Sequence, residues 1–287
     1  MLRFKNYYQN KQYFLRYLVA VILIFIVSFQ FINGNNSVQS EVMNYEIDFA
    51  GEDVPFDEYF INKEKFDREF ALTLMDSPQF VMIHKRELLY RDYIEKQLHK
   101  NKIPADFFYL VVAESALRNI VYSNAAGGLW QFMPATAQRY LRVDSYVDER
   151  LDTEKSTQAA IKYIKDLYKI FGNWTMVAAA YNRENLIRDM ETQHSTKYYN
   201  LWLNQETSRY LFRIVAIKKI MESRYQYFSK TVLSQYQEPK TMKVKLAETD
   251  LALWAKDNYV YSTIKTLNPR IVNQLPEVWE IRVFDSR

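Results

Sequence analysis

The run Phe107-Phe108-Tyr109-Leu110-Val111-Val112-Ala113-Glu114-Ser115 is an almost unbroken apolar stretch that ends in a carboxylate. A helix that is apolar all round is buried on most of its faces. A carboxyl group at its end is partly desolvated, which raises its pKa and holds it protonated near neutrality. That is the state a general acid requires. A glutamate at a helix end more often caps the helix or joins an ion pair, so the physics of this run leaves both readings open.

A second chemical segment follows at Ser123-Asn124-Ala125-Ala126-Gly127-Gly128-Leu129-Trp130-Gln131-Phe132-Met133-Pro134. The glycine pair permits close backbone approach to a ligand or another segment. Trp130 offers a stacking face and Gln131 both donors and an acceptor. Taken singly, Trp130 and Met133 would suit a core. Other chemistries are excluded by composition. The chain has no cysteine, so a thiol nucleophile, a disulfide framework and a zinc–thiolate site are ruled out. It has five glycines, arranged as neither a GxGxxG loop nor a Walker A loop. The histidines His84, His99 and His194 have no ligand spacing and read as surface residues, so no metal and no cofactor is implied.

Together these segments resemble the lytic transglycosylases of glycoside hydrolase family 23, in particular the membrane-bound murein transglycosylase D type. The resemblance covers about residues 85–230 and rests on blocks in the family's order. Ala113-Glu114-Ser115 is similar to the block bearing the catalytic acid. Gly128-Leu129-Trp130-Gln131-Phe132-Met133-Pro134-Ala135-Thr136-Ala137 follows, then Asp148-Glu149-Arg150 and Ser156-Thr157-Gln158-Ala159-Ala160. Ala179-Ala180-Tyr181-Asn182 and Glu206-Thr207-Ser208-Arg209-Tyr210 complete the set. The resemblance implies a lysozyme-like helical fold and peptidoglycan glycan strands as substrate. It implies Glu114 as the catalytic acid, with Ser123, Gln131, Met133, Tyr181, Asn182 and Tyr210 binding substrate. It also implies that the sugar supplies its own nucleophile, the muramic C6 hydroxyl, so that one acid suffices and a 1,6-anhydro end results.

Two departures stand out. The interval from Ser123 to Gln131 is one residue shorter than in some relatives, and Arg183-Glu184 follows the tyrosine–asparagine pair where a glycine is common. Glu184 reads either as a solvated residue just beyond a helix end or as a cleft-edge residue tuning substrate choice, where it would weaken binding of murein carboxylates unless Arg183 or Arg188 pairs with it. Two alternatives remain open: a lysozyme-type hydrolase with Asp148, Glu149, Asp152 or Glu184 as second carboxylate, and a non-catalytic peptidoglycan-binding scaffold.

The elements that must position these residues are mostly helical. Apolar spacing predicts helix within 63–100, a helix from Pro104 through Ala113, a short helix over 134–141 and a helix over 153–171. A helix over 174–181 capped by Asn173 and one over 207–223 complete the series. After Pro239 a strand, two short helices and a strand make a unit of about 45 residues, too small to stand without support. It is similar to a LysM fold at Leu267-Asn268-Pro269. The fold class is therefore mainly α: a lysozyme-like helical catalytic domain with a small C-terminal LysM-like α+β unit.

The chain has 287 residues and a net charge of +4. Residues 1–32 carry Arg3, Lys5, Lys11 and Arg16 and no acid, so the remainder is neutral and has no bulk basic excess to attract nucleic acid. The same basic residues precede the apolar run Leu18 to Val27, which puts the N-terminus on the cytoplasmic side. The expected order is a cytoplasmic tail and signal-anchor over 1–32, an acidic spacer with leading helices over 33–84, the catalytic domain over 85–235 and the LysM-like unit over 240–287. A cleaved signal peptide is the rival reading of the first segment. Both readings put the body in the cell envelope, in the periplasm, with the membrane as partner through the N-terminal helix. Protein partners stay unknown.

Overall fold

The computed structural model describes residues 47–56, 58, 60–120, 122–230, 241–245, 250–256, 261–272 and 280–284. The expected anchor over 1–32 and the first part of the expected spacer lie outside the described residues. Among the described residues no helix is long and apolar enough to cross a membrane.

A two-residue hairpin, β1 (Asp48–Phe49) with β2 (Glu52–Asp53), opens the described chain. It belongs to a stretch expected to be a solvated acidic spacer, and instead it is packed onto the helices. Phe49 is fully buried with its ring centroid 5.3 Å from that of Phe107. Glu52 accepts backbone hydrogen bonds from Trp174 and Thr175, and Asp48 pairs with Lys218 at 3.2 Å. These acids meet fixed donors, which the absence of local Lys and Arg concealed.

Two helices follow, α1 (Phe60–Met75) and α2 (Ser77–Lys100). The helical spacing over 63–100 is interrupted at Asp76, whose carboxylate accepts from the Gln79 amide at 3.2 Å while Pro78 occupies the first turn of α2. Helix α3 (Phe107–Ser115) starts three residues after Pro104, and its residues 107–112 are all buried, as the apolar run requires. A hairpin, β3 (Tyr122–Ser123) with β4 (Ala126–Gly127), leads to the short α4 (Pro134–Ala137) and a 3-10 turn at Glu149–Leu151.

Helix α5 (Thr153–Phe171) is capped by Asp152 and ends at Gly172, whose φ of 71° suits glycine. Helix α6 (Trp174–Asn182) carries the predicted Asn173 cap, which accepts from the Met176 amide at 2.9 Å. Helix α7 (Leu186–Gln193), a 3-10 turn at Tyr198–Asn200, α8 (Gln205–Glu222) and α9 (Arg224–Tyr227) complete the helical body. Helix α8 packs on α1, α3 and α6, and so closes the core over the end of α3.

The C-terminal unit has the predicted order β5 (Thr241–Lys245), α10 (Leu251–Lys256), α11 (Tyr261–Leu267) and β6 (Glu280–Phe284). The strands are antiparallel, with Val244 opposite Ile281. Leu251, Ala255, Ile264, Ile271, Ile281 and Val283 form its core together with Val147, which the helical body supplies. Backbone bonds fix the junction: Asp148 donates to the Arg270 carbonyl at 2.8 Å and Val272 to the Tyr146 carbonyl at 2.9 Å. Ion pairs Arg270–Asp152 and Arg282–Glu154 flank it. A unit of this size has little core of its own, and it completes that core on its neighbour.

Candidate active site

Glu114 is the penultimate residue of α3, at the point where the buried helix breaks. Ala116 and Leu117 follow in the left-handed region at φ 49° and 56°. Each costs about 1–2 kcal/mol for a residue with a Cβ. Strain of this kind persists where the surroundings hold it, and it collects at functional sites. Here it turns the chain sharply and leaves Glu114 at the floor of a cleft, half-buried.

Burial pushes the Glu114 carboxyl up to about 7, against the opposing pull of the Tyr210 hydrogen bond and the Arg213 charge. Among the described residues, the hydrogen bond to the Glu114 carboxyl comes from the Tyr210 hydroxyl of α8. Tyr181 of α6 also lies near enough for the Glu114 charge to act on it. Its hydroxyl donates to the Trp130 carbonyl at 2.8 Å. Burial holds both phenols well above their ordinary range, so both stay neutral donors.

Among the described residues none of the other predicted substrate-binding residues bonds Glu114, and none lines the cavity onto which it opens. Ser123 is exposed on β3, and Met133 is 46% exposed at the start of α4, where an apolar face is open to a ligand. Gln131 is buried with φ 49°, and its side-chain amide donates to the Gly128 carbonyl at 2.7 Å. Asn182 accepts from the Thr207 hydroxyl at 2.9 Å, which ties the end of α6 to the start of α8. Trp130 takes the core role of its two readings and not the stacking one. It is fully buried, with its indole N–H on the Thr157 hydroxyl at 3.0 Å, so its face is spent on the core and offers no stacking surface.

The loop carrying Ser123 to Met133 is held by Arg150, whose role the sequence did not disclose. Arg150 is buried and forks onto Asp148 at 3.0 and 2.8 Å. Its Nη1 donates to the carbonyls of Ala125 at 2.6 Å and Phe132 at 3.1 Å. Tyr122 adds a hydroxyl bond to Asp148 at 3.0 Å. Gly128 has φ 79°, and a Cβ there would stand 1.9 Å from the Arg150 carbonyl oxygen. The glycine is thus required by close packing of this loop on the 3-10 turn. The block Asp148-Glu149-Arg150 was visible in the sequence, but its partners lie some 20 residues upstream.

The four carboxylates considered as a second catalytic group are each engaged. Asp148 is locked to Arg150. Glu149 accepts from the Arg142 amide at 2.8 Å and pairs with Lys155. Asp152 caps α5 and pairs with Arg270. Glu184 accepts from the Thr136 hydroxyl of α4. Among the described residues Glu184 pairs with neither Arg183 nor Arg188: α6 ends at Asn182, and Arg183 turns to Asp189.

His84 is a further correction. Its side chain is only 12% exposed and sits against Glu87, because it falls on the face of α2 that meets Arg224. Among the described residues no group of histidine and acidic side chains could hold a metal ion.

Residues 92–201 match the model of the transglycosylase SLT domain. The chain is 32% identical over 147 residues to the membrane-bound lytic murein transglycosylase D of Escherichia coli K12, covering 48% of this chain and 32% of that protein. The protein of that name from Escherichia coli O6:H1 aligns to the same extent. A putative tributyltin chloride resistance protein of an Alteromonas species (strain M-1) is 33% identical over 96 residues, 32% of this chain and 46% of that protein. The chain spans about a third of the length of the transglycosylases it matches. Glu114 and the loop carrying Gly127 and Gly128 thus lie inside the segment, residues 92–201, that is similar to the transglycosylase SLT domain.

Proposed function

We propose that the protein is a peptidoglycan lytic transglycosylase, cleaving the β-1,4 bond between N-acetylmuramic acid and N-acetylglucosamine. The observation that carries the reading is Glu114: a carboxyl raised to about 7 by burial, at the break of a buried helix, oriented by one phenol. A group with that pKa carries a proton near neutrality and can return to take one, which suits a single acid–base residue.

In this reading Glu114 protonates the glycosidic oxygen, and the N-acetylglucosamine alcohol departs. The bond from C1 of the muramic acid to that oxygen breaks. The C6 hydroxyl of the same sugar attacks C1 and gives its proton to Glu114. The enzyme regains its starting state, no water is consumed, and the product is a 1,6-anhydro end. Intramolecular attack draws on proximity, which is worth about 7–11 kcal/mol when alignment is ideal. Tyr210 fixes the carboxyl, and Tyr181 sits beside it. In this reading Ser123, Gln131, Met133 and Asn182 hold the sugar's polar groups and apolar face.

A retaining or inverting hydrolase needs a second free carboxylate about 5–5.5 or 6.5–9.5 Å from the acid. The engagement of Asp148, Glu149, Asp152 and Glu184 argues for the single-acid route. The same reading takes residues 85–235 as the catalytic domain and places the enzyme in the cell envelope, with residues 1–32 as inner-membrane anchor and a periplasmic body. It takes 240–287 as a LysM-like unit, supported by its strand–helix–helix–strand order. Glu114→Gln tests the assignment. Gln keeps the size and the acceptor for Tyr210 but cannot deliver a proton, so turnover of murein should fall by about 10²–10⁴-fold in folded protein.

A further inference from the structure

Glu114 opens onto a cavity of about 390 Å³ framed by α1, the start of α2, the end of α3 and α8. Its walls carry four arginines, Arg68, Arg118, Arg209 and Arg213. Three of them converge on one buried carboxylate. Glu69 is 4% exposed, with Arg68 at 2.6 Å, Arg213 at 3.3 Å and Arg209 at 3.7 Å. Arg213 also pairs with Glu206 at 2.9 Å. Arg118 is exposed, and its Nε donates to the Ser115 carbonyl at 3.4 Å. Besides Glu69 and Glu114 the wall holds one further acid, Asp76, which caps α2.

Four guanidiniums face Glu69, Asp76 and the Glu206 partner of Arg213, and the wall is positive while Glu114, the fourth acid, holds its proton. Arg209 Nη1 is buried and faces Glu69 at 3.7 Å, beyond hydrogen-bond distance, so among the described residues it is held by the ion pair alone. An arriving carboxylate can complete its donor geometry. Guanidinium groups match carboxylates in shape and donor geometry.

We propose that this arginine-lined cavity is a subsite for the carboxylates of the murein stem peptide. The proposal rests on the transglycosylase reading. The peptide hangs from the muramic acid whose C1 is attacked, so its carboxylates travel with the sugar that meets Glu114. Arg68 and Arg118, at the exposed rim, receive the peptide first. Arg209 supplies the inner donor, and Glu69 keeps the three inner guanidiniums oriented and apart.

The test compares intact murein strands with strands stripped of stem peptide by an amidase, using the full-length protein. The readout is the ratio of kcat/KM on the two substrates. Arg118→Ala and Arg68→Ala change exposed side chains and should leave the fold intact. Together they should lower the ratio of intact to stripped strands by about tenfold, and Arg118→Glu should lower it further. A ratio equal to that of the wild type overturns the subsite while leaving the transglycosylase reading in place. Wild-type protein that forms no anhydro ends on either strand overturns that reading and the subsite with it.

Discussion

The Tyr210 hydroxyl donates to the Glu114 carboxyl across 96 positions of sequence, joining α8 to the end of α3. This contact sets both the direction and the proton affinity of the acid. It favours the ionised form, burial favours the neutral form, and burial is the larger effect. Removing the phenol therefore tilts the carboxyl further toward its protonated state and frees it to turn. Tyr210→Phe should move the alkaline limb of the kcat/KM profile on murein to higher pH and lower its plateau. An unmoved limb would mean that the bond does not act on the reacting acid.

The pH dependence of the wild type follows from the same residue. With its carboxyl near 7, Glu114 loses the acid form as pH rises through neutrality, and activity should fall with it. Stability follows the same sign. The folded chain holds this proton up to about 7, while the unfolded chain releases it near the ordinary value of 4.5. The contribution from Glu114 is thus full below that value and is lost as pH rises through about 7. Glu114→Gln does not ionise, so its Tm should gain on the wild type between pH 5 and pH 8. Parallel Tm curves across that interval would contradict the raised value.

Gly128→Ala puts a Cβ 1.9 Å from a backbone oxygen at φ 79°. The left-handed cost alone is about 1–2 kcal/mol, and the backbone of Arg150 has little room to retreat. Thermal unfolding should fall by about 5 °C or more. A change under about 1 °C would show that the loop reshapes freely.

Asp148→Ala leaves the buried Arg150 guanidinium without its carboxylate and takes the acceptor from Tyr122. Breaking a buried pair from one side costs about 3–5 kcal/mol. Urea unfolding should show a loss of that order. Murein turnover should drop too, since Arg150 holds the carbonyls of Ala125 and Phe132 in the loop that carries Ser123 and Gln131. Unchanged stability would mean that the loop is held by other contacts.

The legible parts of this chain were those whose signal is local. The apolar run of α3, the one-sided spacing of α5 and the Asn173 cap each lie within a single element, and each stands where the sequence places it. So does the strand–helix–helix–strand order of the C-terminal unit. What the sequence concealed depends on partners far along the chain. The acids of the 47–54 hairpin look solvated until Lys218 and the start of α6 arrive. Trp130 looks like a sugar platform until Thr157 claims its indole. Arg150, Gly128 and the loop form one locked unit that no single stretch reveals, and the arginine cavity gathers residues 68, 118, 209 and 213 from two helices and a turn.

The most direct test of the account is mass spectrometry of the soluble products when the full-length protein digests purified murein sacculi. The account predicts muropeptides ending in 1,6-anhydro-N-acetylmuramic acid, lighter by one water than hydrolytic products, and their loss with Glu114→Gln. Muropeptides with reducing ends, released by the wild type and abolished by the same substitution, would contradict it and point to a hydrolase with a second carboxylate.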